Sequence, residues 1–249
     1  GDGWSADPFG DELRGGAIFG RGAEDDKGPI VQTLHALAAI REMRPMRRSV
    51  RLIIGSNEET GDWSDIDRYL AAEGAPDYSI VPDGEFPVVN GEKGMANYEM
   101  SIRPQSPESG SIRLVSVEAG ERANVVPPRC DAVLAFEDSS GVIQEAARAF
   151  LAQRPEAQIE FAAAPPGQCH LVFRGKNAHG SQPWEGRNAA RDAARFLAGL
   201  GLCGPRADFV RAIATLAEDD FGGPLGIAAT HEFIGPATQN LGILTVGQG

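Results

Sequence analysis

Four carboxylates stand where they could share one task. Asp25 follows the apolar run Ala17-Ile18-Phe19 across a glycine turn, Glu58 and Glu59 follow the run Val50 to Ser56, and Asp83 follows Tyr78 to Val81. Acids gathered at successive strand ends repel one another, and each neighbour raises the cost of ionising the next. One lysine, Lys27, neutralises such a group poorly. Two divalent cations sharing a bridging carboxylate do it better: Asp25 would bridge, one further acid would complete each ion, and a water between them would have a lowered pKa. Adjacent strand-end residues point to opposite sides, so one of Glu58 and Glu59 can ligate while the other takes a proton from that water. A plainer account competes, since acids just ahead of a helix often only cap it and complement its dipole. Recurrence at three run ends favours the cation site.

The elements that must position these groups are legible in outline. Gly20 and Gly22 permit a sharp turn after Phe19. Ile30, Leu34, Leu37 and Ala38 line one face of a helix that runs from near Pro29 to Met43 and stops before Pro45. Val50 to Ser56 is nearly solid in apolar residues, as strands of parallel sheets buried on both faces are. A helix over Trp63 to Ala72 and a strand over Tyr78 to Val81 complete an alternation that predicts a right-handed parallel sheet with its acids at one edge. After Gly91-Glu92-Lys93-Gly94 the character changes. Strands are expected over Asn97–Ile102, Ser111–Val117, Ala132–Phe136, Leu171–Arg174 and Asn240–Val246, and helices over Val142–Ala152 and Asn188–Leu200. The fold class is therefore α/β: a partial parallel-sheet domain over residues 1–92, then an α+β domain over residues 93–249.

The chain has 249 residues, 42% of them hydrophobic, and a net charge of −12. That charge argues against nucleic acid or an anionic membrane as partner. No run approaches a membrane span. Cys130, Cys169 and Cys203 have neither disulfide-framework nor zinc-knuckle spacing, so buried thiols in a reducing cytoplasm are expected.

The segments GRGAEDDKG, SNEETG, VPDGEFPVVNGEKG and GKNAHGSQPWEGRNAA, in this order, resemble the motifs of the dinuclear zinc peptidases. That superfamily includes aminoacylase, carboxypeptidase G, acetylornithine deacetylase and the PepV-type dipeptidases. The opening GDGWSADPFG resembles the segment after that family's first metal-ligand motif, so the likeness spans most of the chain. It implies Asp25 as bridging ligand, Glu58 as general base, and Glu59 and Asp83 as ligands to one metal each. It further implies His179 as the group stabilising the tetrahedral oxyanion, Asn124 (in ERANVVPP) near the substrate, and a cis Asp25–Asp26 peptide bond. The cofactors implied are two divalent ions, zinc first, with cobalt or manganese as alternatives.

His179 follows Asp83 by 96 residues (179 − 83), farther than in the dimeric relatives. Together with EFPVVNGEKG this resembles the PepV-type branch, whose second domain is a lid that folds over its own site. The resemblance then implies a cytoplasmic monomer that hydrolyses dipeptides. N-acyl-amino-acid deacylation is the alternative within the superfamily, and a non-catalytic interaction module the alternative outside it. The resemblance also implies a terminal histidine on each metal, one from before Gly1 and one from after Gly249. The catalytic part is thus expected to lack its first strands and its C-terminal return, the lid to be incomplete at its C-terminus, and the chain by itself to have little activity. His35 does not fill the gap: it lies seven residues past Gly28, about 10 Å down the helix. His170 and His231 are expected to be ordinary strand or loop residues. Asp26 and Lys27 are expected to cap and balance charge, and Trp63 and Trp184 to pack. Glu85 and Glu92 are expected to be solvated, and Arg122 and Arg187 either to meet a substrate carboxylate or to lie on the surface.

Overall fold

The computed structural model describes residues 4–43, 45–58, 61–84, 88–103, 106–137 and 140–247. The chain is a mixed α/β protein that divides into two compact units, Gly1–Asn90 and Gly91–Gly249.

The first unit opens with an antiparallel pair, β1 (Glu12–Arg14) and β2 (Ala17–Phe19). Its two-residue turn, Gly15-Gly16, has φ of 61° and 82°, the doubly left-handed turn that suits the twist of a tight hairpin. Helix α1 (Lys27–Met43) ends where the sequence places it, ahead of Pro45. Helix α2 (Ser64–Glu73) carries Asp65 and Asp67 in its first turn, where negative charge complements the helix dipole. None of the described residues of this unit is fully buried.

Two expectations fail here. The segments over residues 50–56 and 78–81 carry no strand ladder, so the described residues of this unit form no parallel sheet. An apolar run becomes a strand only when a neighbour takes its backbone N–H and C=O groups, and parallel pairing obtains that neighbour only through a crossover. The same reason removes the expected strand over residues 97–102 in the second unit.

The second unit is built on a five-stranded antiparallel sheet in the order β5-β6-β4-β3-β9. Its strands are β3 (Ile112–Ala119), β4 (Arg129–Phe136), β5 (Gln158–Ala162), β6 (Gln168–Arg174) and β9 (Leu244–Val246). Between them lie α3 (Ser140–Gln153), α4 (Ala189–Gly199) and α5 (Pro205–Leu216), and a short pair, β7 (Thr230–His231) with β8 (Gly235–Pro236). Alternation along β4 sends Cys130, Ala132 and Leu134 into the core and Arg129, Asp131 and Val133 to the other face. Helix α4 packs on β3, β4 and β6. Ala189, Ala190, Ala193 and Ala194 let it approach closely, and Phe196 stands against Phe150 and Phe173 with ring centres 5.6 Å apart in each pair.

The thiols divide by place. Cys130 is buried, which pushes its thiol up to about 12, and Cys169 is partly buried. Cys203 corrects the expectation of buried thiols: it is exposed in the connection between α4 and α5. No helix among the described residues is long and apolar enough to cross a membrane.

Candidate active site

In the first unit Asp25 sits, exposed, in the turn between β2 and α1. Gly22, at φ 78°, folds that turn back, and Lys27 N–H donates to the Gly22 carbonyl at 2.8 Å. A β-carbon on Gly28 would lie 2.5 Å from the Ala23 carbonyl oxygen, so the helix can begin this close to the turn only with glycine there. The Asp25–Asp26 peptide bond is cis. Asp26 Oδ1 is buried without a hydrogen-bond partner.

Glu58 stands at the turn after residues 50–56, where its carbonyl accepts from Gly61 N–H at 2.9 Å. The residues leading into that turn are held by Asp65, whose Oδ2 accepts from Ser56 N–H at 2.6 Å. This bond, with weaker ones from neighbouring backbone, holds the Asp65 carboxyl below its ordinary range. Sequence reasoning missed Asp65; an acid in a helix first turn, a few residues past a candidate base, was the available signal. Asp83 lies exposed in an irregular segment, and Glu59 and Glu85 lie outside the described residues. Among the described residues no three His, Cys, Asp or Glu side chains group as a metal site. The donors of the first unit are carboxylates, whose oxygens suit a divalent cation, but their convergence with Glu59 falls outside the described residues.

In the second unit His179 and Asn124 do come together. Val125 and His179 form an antiparallel bridge. Gly180 N–H donates to the Asn124 carbonyl at 2.6 Å, and Val126 N–H to the Ala178 carbonyl at 2.9 Å. A β-carbon on Gly180 would lie 3.0 Å from the Asn124 carbonyl oxygen, so the two turns are pressed backbone to backbone. The His179 ring is exposed, with Nδ1 2.7 Å from Ser181 Oγ and 3.2 Å from Ser181 backbone N. A backbone N–H can only donate, so Nδ1 is the acceptor and the neutral ring carries its proton on Nε2. The result is an exposed imidazole with its N–H directed away from its own turn. Ser181 is a residue that sequence reasoning passed over, although it stands in the same motif.

The other singled-out residues stand apart from this pairing. His35 is exposed along α1. His170 Nε2 lies 2.7 Å from Asp131 Oδ1, and His231 Nδ1 accepts from Phe233 N–H at 3.3 Å. Arg187 pairs its backbone with Lys176 and donates from its guanidinium to the Arg174 carbonyl at 3.1 Å, a local brace. Trp63 is exposed, and Trp184 stacks on Phe221 with ring centres 5.9 Å apart.

Residues 1–201 match the profile described as peptidase family M20/M25/M40, and residues 167–246 match a peptidase dimerisation domain. The chain is 34% identical over 255 residues to "Putative dipeptidase YtjP" of Bacillus subtilis strain 168, covering 100% of this chain and 54% of that protein. It is also 34% identical over 250 residues to a Staphylococcus epidermidis protein named "Putative dipeptidase", covering 98% of this chain and 52% of that one. The chain thus spans about half the length of the curated relatives it matches. The dimerisation-domain match counts against the expected monomer.

Proposed function

The chain belongs to peptidase family M20/M25/M40, and from that membership we propose that its protein hydrolyses the amide bond of dipeptides. The observation that carries this choice of substrate is the match, along essentially the whole chain, to relatives bearing the dipeptidase name. Asp25, Glu59 and Asp83 are the residues that would hold two divalent ions, zinc by preference, and such ions supply Lewis acidity to an attacking water. The remaining work falls to the chain's own groups. Glu58 accepts the proton of the water and passes it to the leaving amine, a role for a carboxylate on a turn whose leading residues Asp65 holds. His179 donates from Nε2 to the amide oxygen as it gains negative charge, and Ser181 at Nδ1 keeps the proton on that nitrogen. Asn124, tied to the His179 turn, contacts the substrate beside it.

The test is a panel of dipeptides and N-acyl amino acids, with zinc or manganese supplied, on the protein in its full reading frame. Turnover of dipeptides supports the reading. Turnover of acyl amino acids alone replaces it with deacylation, and turnover of neither by metal-loaded protein removes it.

A further inference from the structure

The sequence reads residues 240–246 as one strand, but the ladder begins only at Leu244. The residues before it leave the sheet for another task. A β-carbon on Gly242 would lie 2.4 Å from the Ala123 carbonyl oxygen, and one on Gly120 would lie 1.8 Å from the Gly242 carbonyl oxygen. The segment is therefore pressed, main chain on main chain, against the turn that carries Asn124.

Asn240 makes that contact specific. Its Nδ2 donates to the carbonyls of Ala123 at 3.0 Å and Val125 at 2.9 Å, the two that flank Asn124. Its Oδ1 accepts from Asn188 Nδ2 at 3.2 Å, and the same Asn188 nitrogen donates to the Leu241 carbonyl at 2.9 Å. Asn188 Oδ1 in turn accepts from Arg191 N–H at 3.0 Å and caps α4, the helix packed on the sheet. Two donated hydrogens and one accepted bond need a carboxamide: a carboxylate has no hydrogen to give, and a hydroxyl has one. The chain of contacts runs from the core through α4, Asn188 and Asn240 to the 123–125 turn. That turn holds the His179 backbone through the Val125 bridge and the Asn124–Gly180 hydrogen bond.

We propose that Asn240 is a positioning residue, which sets where His179 and Asn124 stand relative to each other and so where the substrate oxygen is met. This rests on the peptidase reading above for its catalytic consequence, though not for its geometry. Asn240 touches no reacting group, and its effect passes through the turn it holds. A displacement of about 1 Å at a group that must meet a developing charge costs on the order of 100-fold in rate.

The experiment compares wild type with Asn240→Ala and with Asn240→Asp, which keeps the volume and loses the two donors. Two quantities are read. The first is kcat and KM on a dipeptide. The second is the long-range ¹H–¹⁵N NMR spectrum of the imidazoles, in which the His179 signals are assigned by their absence from a His179→Ala sample. Both variants are expected to lose about 10–100-fold in kcat, with KM changed much less. The His179 nitrogens are expected to move from the Nε2–H pattern, while those of His35, His170 and His231 stay in place. A lowered melting temperature with unchanged His179 resonances and unchanged kcat would make Asn240 a packing residue only and overturn the proposal. Should neither variant fold, Asn188→Ser, which keeps an oxygen at the α4 cap and removes the amide that grips Asn240, is read the same way. If wild type turns over no dipeptide, the peptidase reading fails, and the His179 spectrum still decides whether Asn240 sets the imidazole.

Discussion

Helices α1 and α4 both carry apolar residues at helical spacing, with α4 the more sharply divided into two faces, and they have opposite fates. Over 17 residues α1 buries none, leaving Val31 and Leu34 about half exposed, whereas α4 over 11 residues buries seven, from Ala189 to Leu197. The same contrast separates the units that contain them. The second unit has a continuous core on one face of its sheet, and no described residue of the first is fully buried. Periodicity specifies an apolar face but not its cover. In the second unit the cover comes from antiparallel neighbours, some of which, such as β5 and β6, close through short connections. In the first, a parallel arrangement would need each run to find a neighbour across a helix. The candidate chemistry is split along the same line, with the carboxylates in the unit whose described residues are none of them fully buried and the imidazole on the one with the core.

The largest effect expected tests that division of labour. Glu58→Gln should lower kcat by about 10²–10⁴-fold at unchanged metal content, and His179→Ala by about 10²–10³-fold as loss of an oxyanion donor. Near-normal turnover in the His179 variant would leave the second unit without a share in the chemistry, however well it is folded.

A smaller effect addresses the cores. Leu134 is wholly buried on β4, in the middle of the sheet, and Leu34 is 51% exposed on α1. Leu134→Ala should cost about 2–5 kcal/mol of stability, and Leu34→Ala about 0.5 kcal/mol or less. Denaturation in urea, read beside amide hydrogen exchange, separates the two. Slow exchange in α4, β4 and β6 with fast exchange in α1 is the expected pattern, and equal losses from the two substitutions would break the comparison.

How far the sequence foretold this follows from the same physics. Helices α1, α2, α3 and α4 were legible because each carries its periodicity within its own residues, and α4 also has its cap, Asn188, next to it in sequence. Strands β3, β4 and β6 were legible because their apolar patterns coincide with a partner nearby. Residues 50–56 misled because solid apolar composition describes a buried strand without saying whether it is paired. The cis Asp25–Asp26 bond was reached through family likeness, not spacing; the same likeness singled out His179 and Asn124 separately, and their backbone pairing came only from the structure. Asp65, Ser181 and Asn240 were missed. Each makes its contact through a single polar side chain, Asp65 and Asn240 with backbone and Ser181 with the His179 ring, and one polar residue leaves no period to detect.

The smallest effect lies on the face of the sheet away from the core. The Asp131 carboxylate accepts from Arg129 Nε at 2.5 Å and lies 2.7 Å from His170 Nε2. The Arg129 hydrogen bond chiefly, and then His170, hold its carboxyl below the ordinary value of 3.8 against an opposing push from partial burial. A folded pKa below the unfolded one means that the contribution is fully present above about pH 4. It is lost as the pH falls through the folded value, because the unfolded chain then takes up the proton first. Asp131→Asn should therefore cost less than about 1 kcal/mol at pH 6, the range for ion pairs that water still reaches. The variant should also lose less stability than wild type between pH 4 and pH 2. Glu160, paired with Arg174 on the same face at 3.0 Å, has its carboxyl held down too and stays in both proteins, so the difference between their urea midpoints isolates Asp131. Parallel midpoint curves would show that the Arg129–Asp131–His170 contact adds nothing to the fold of the second unit, leaving its stability to the helix-covered face alone.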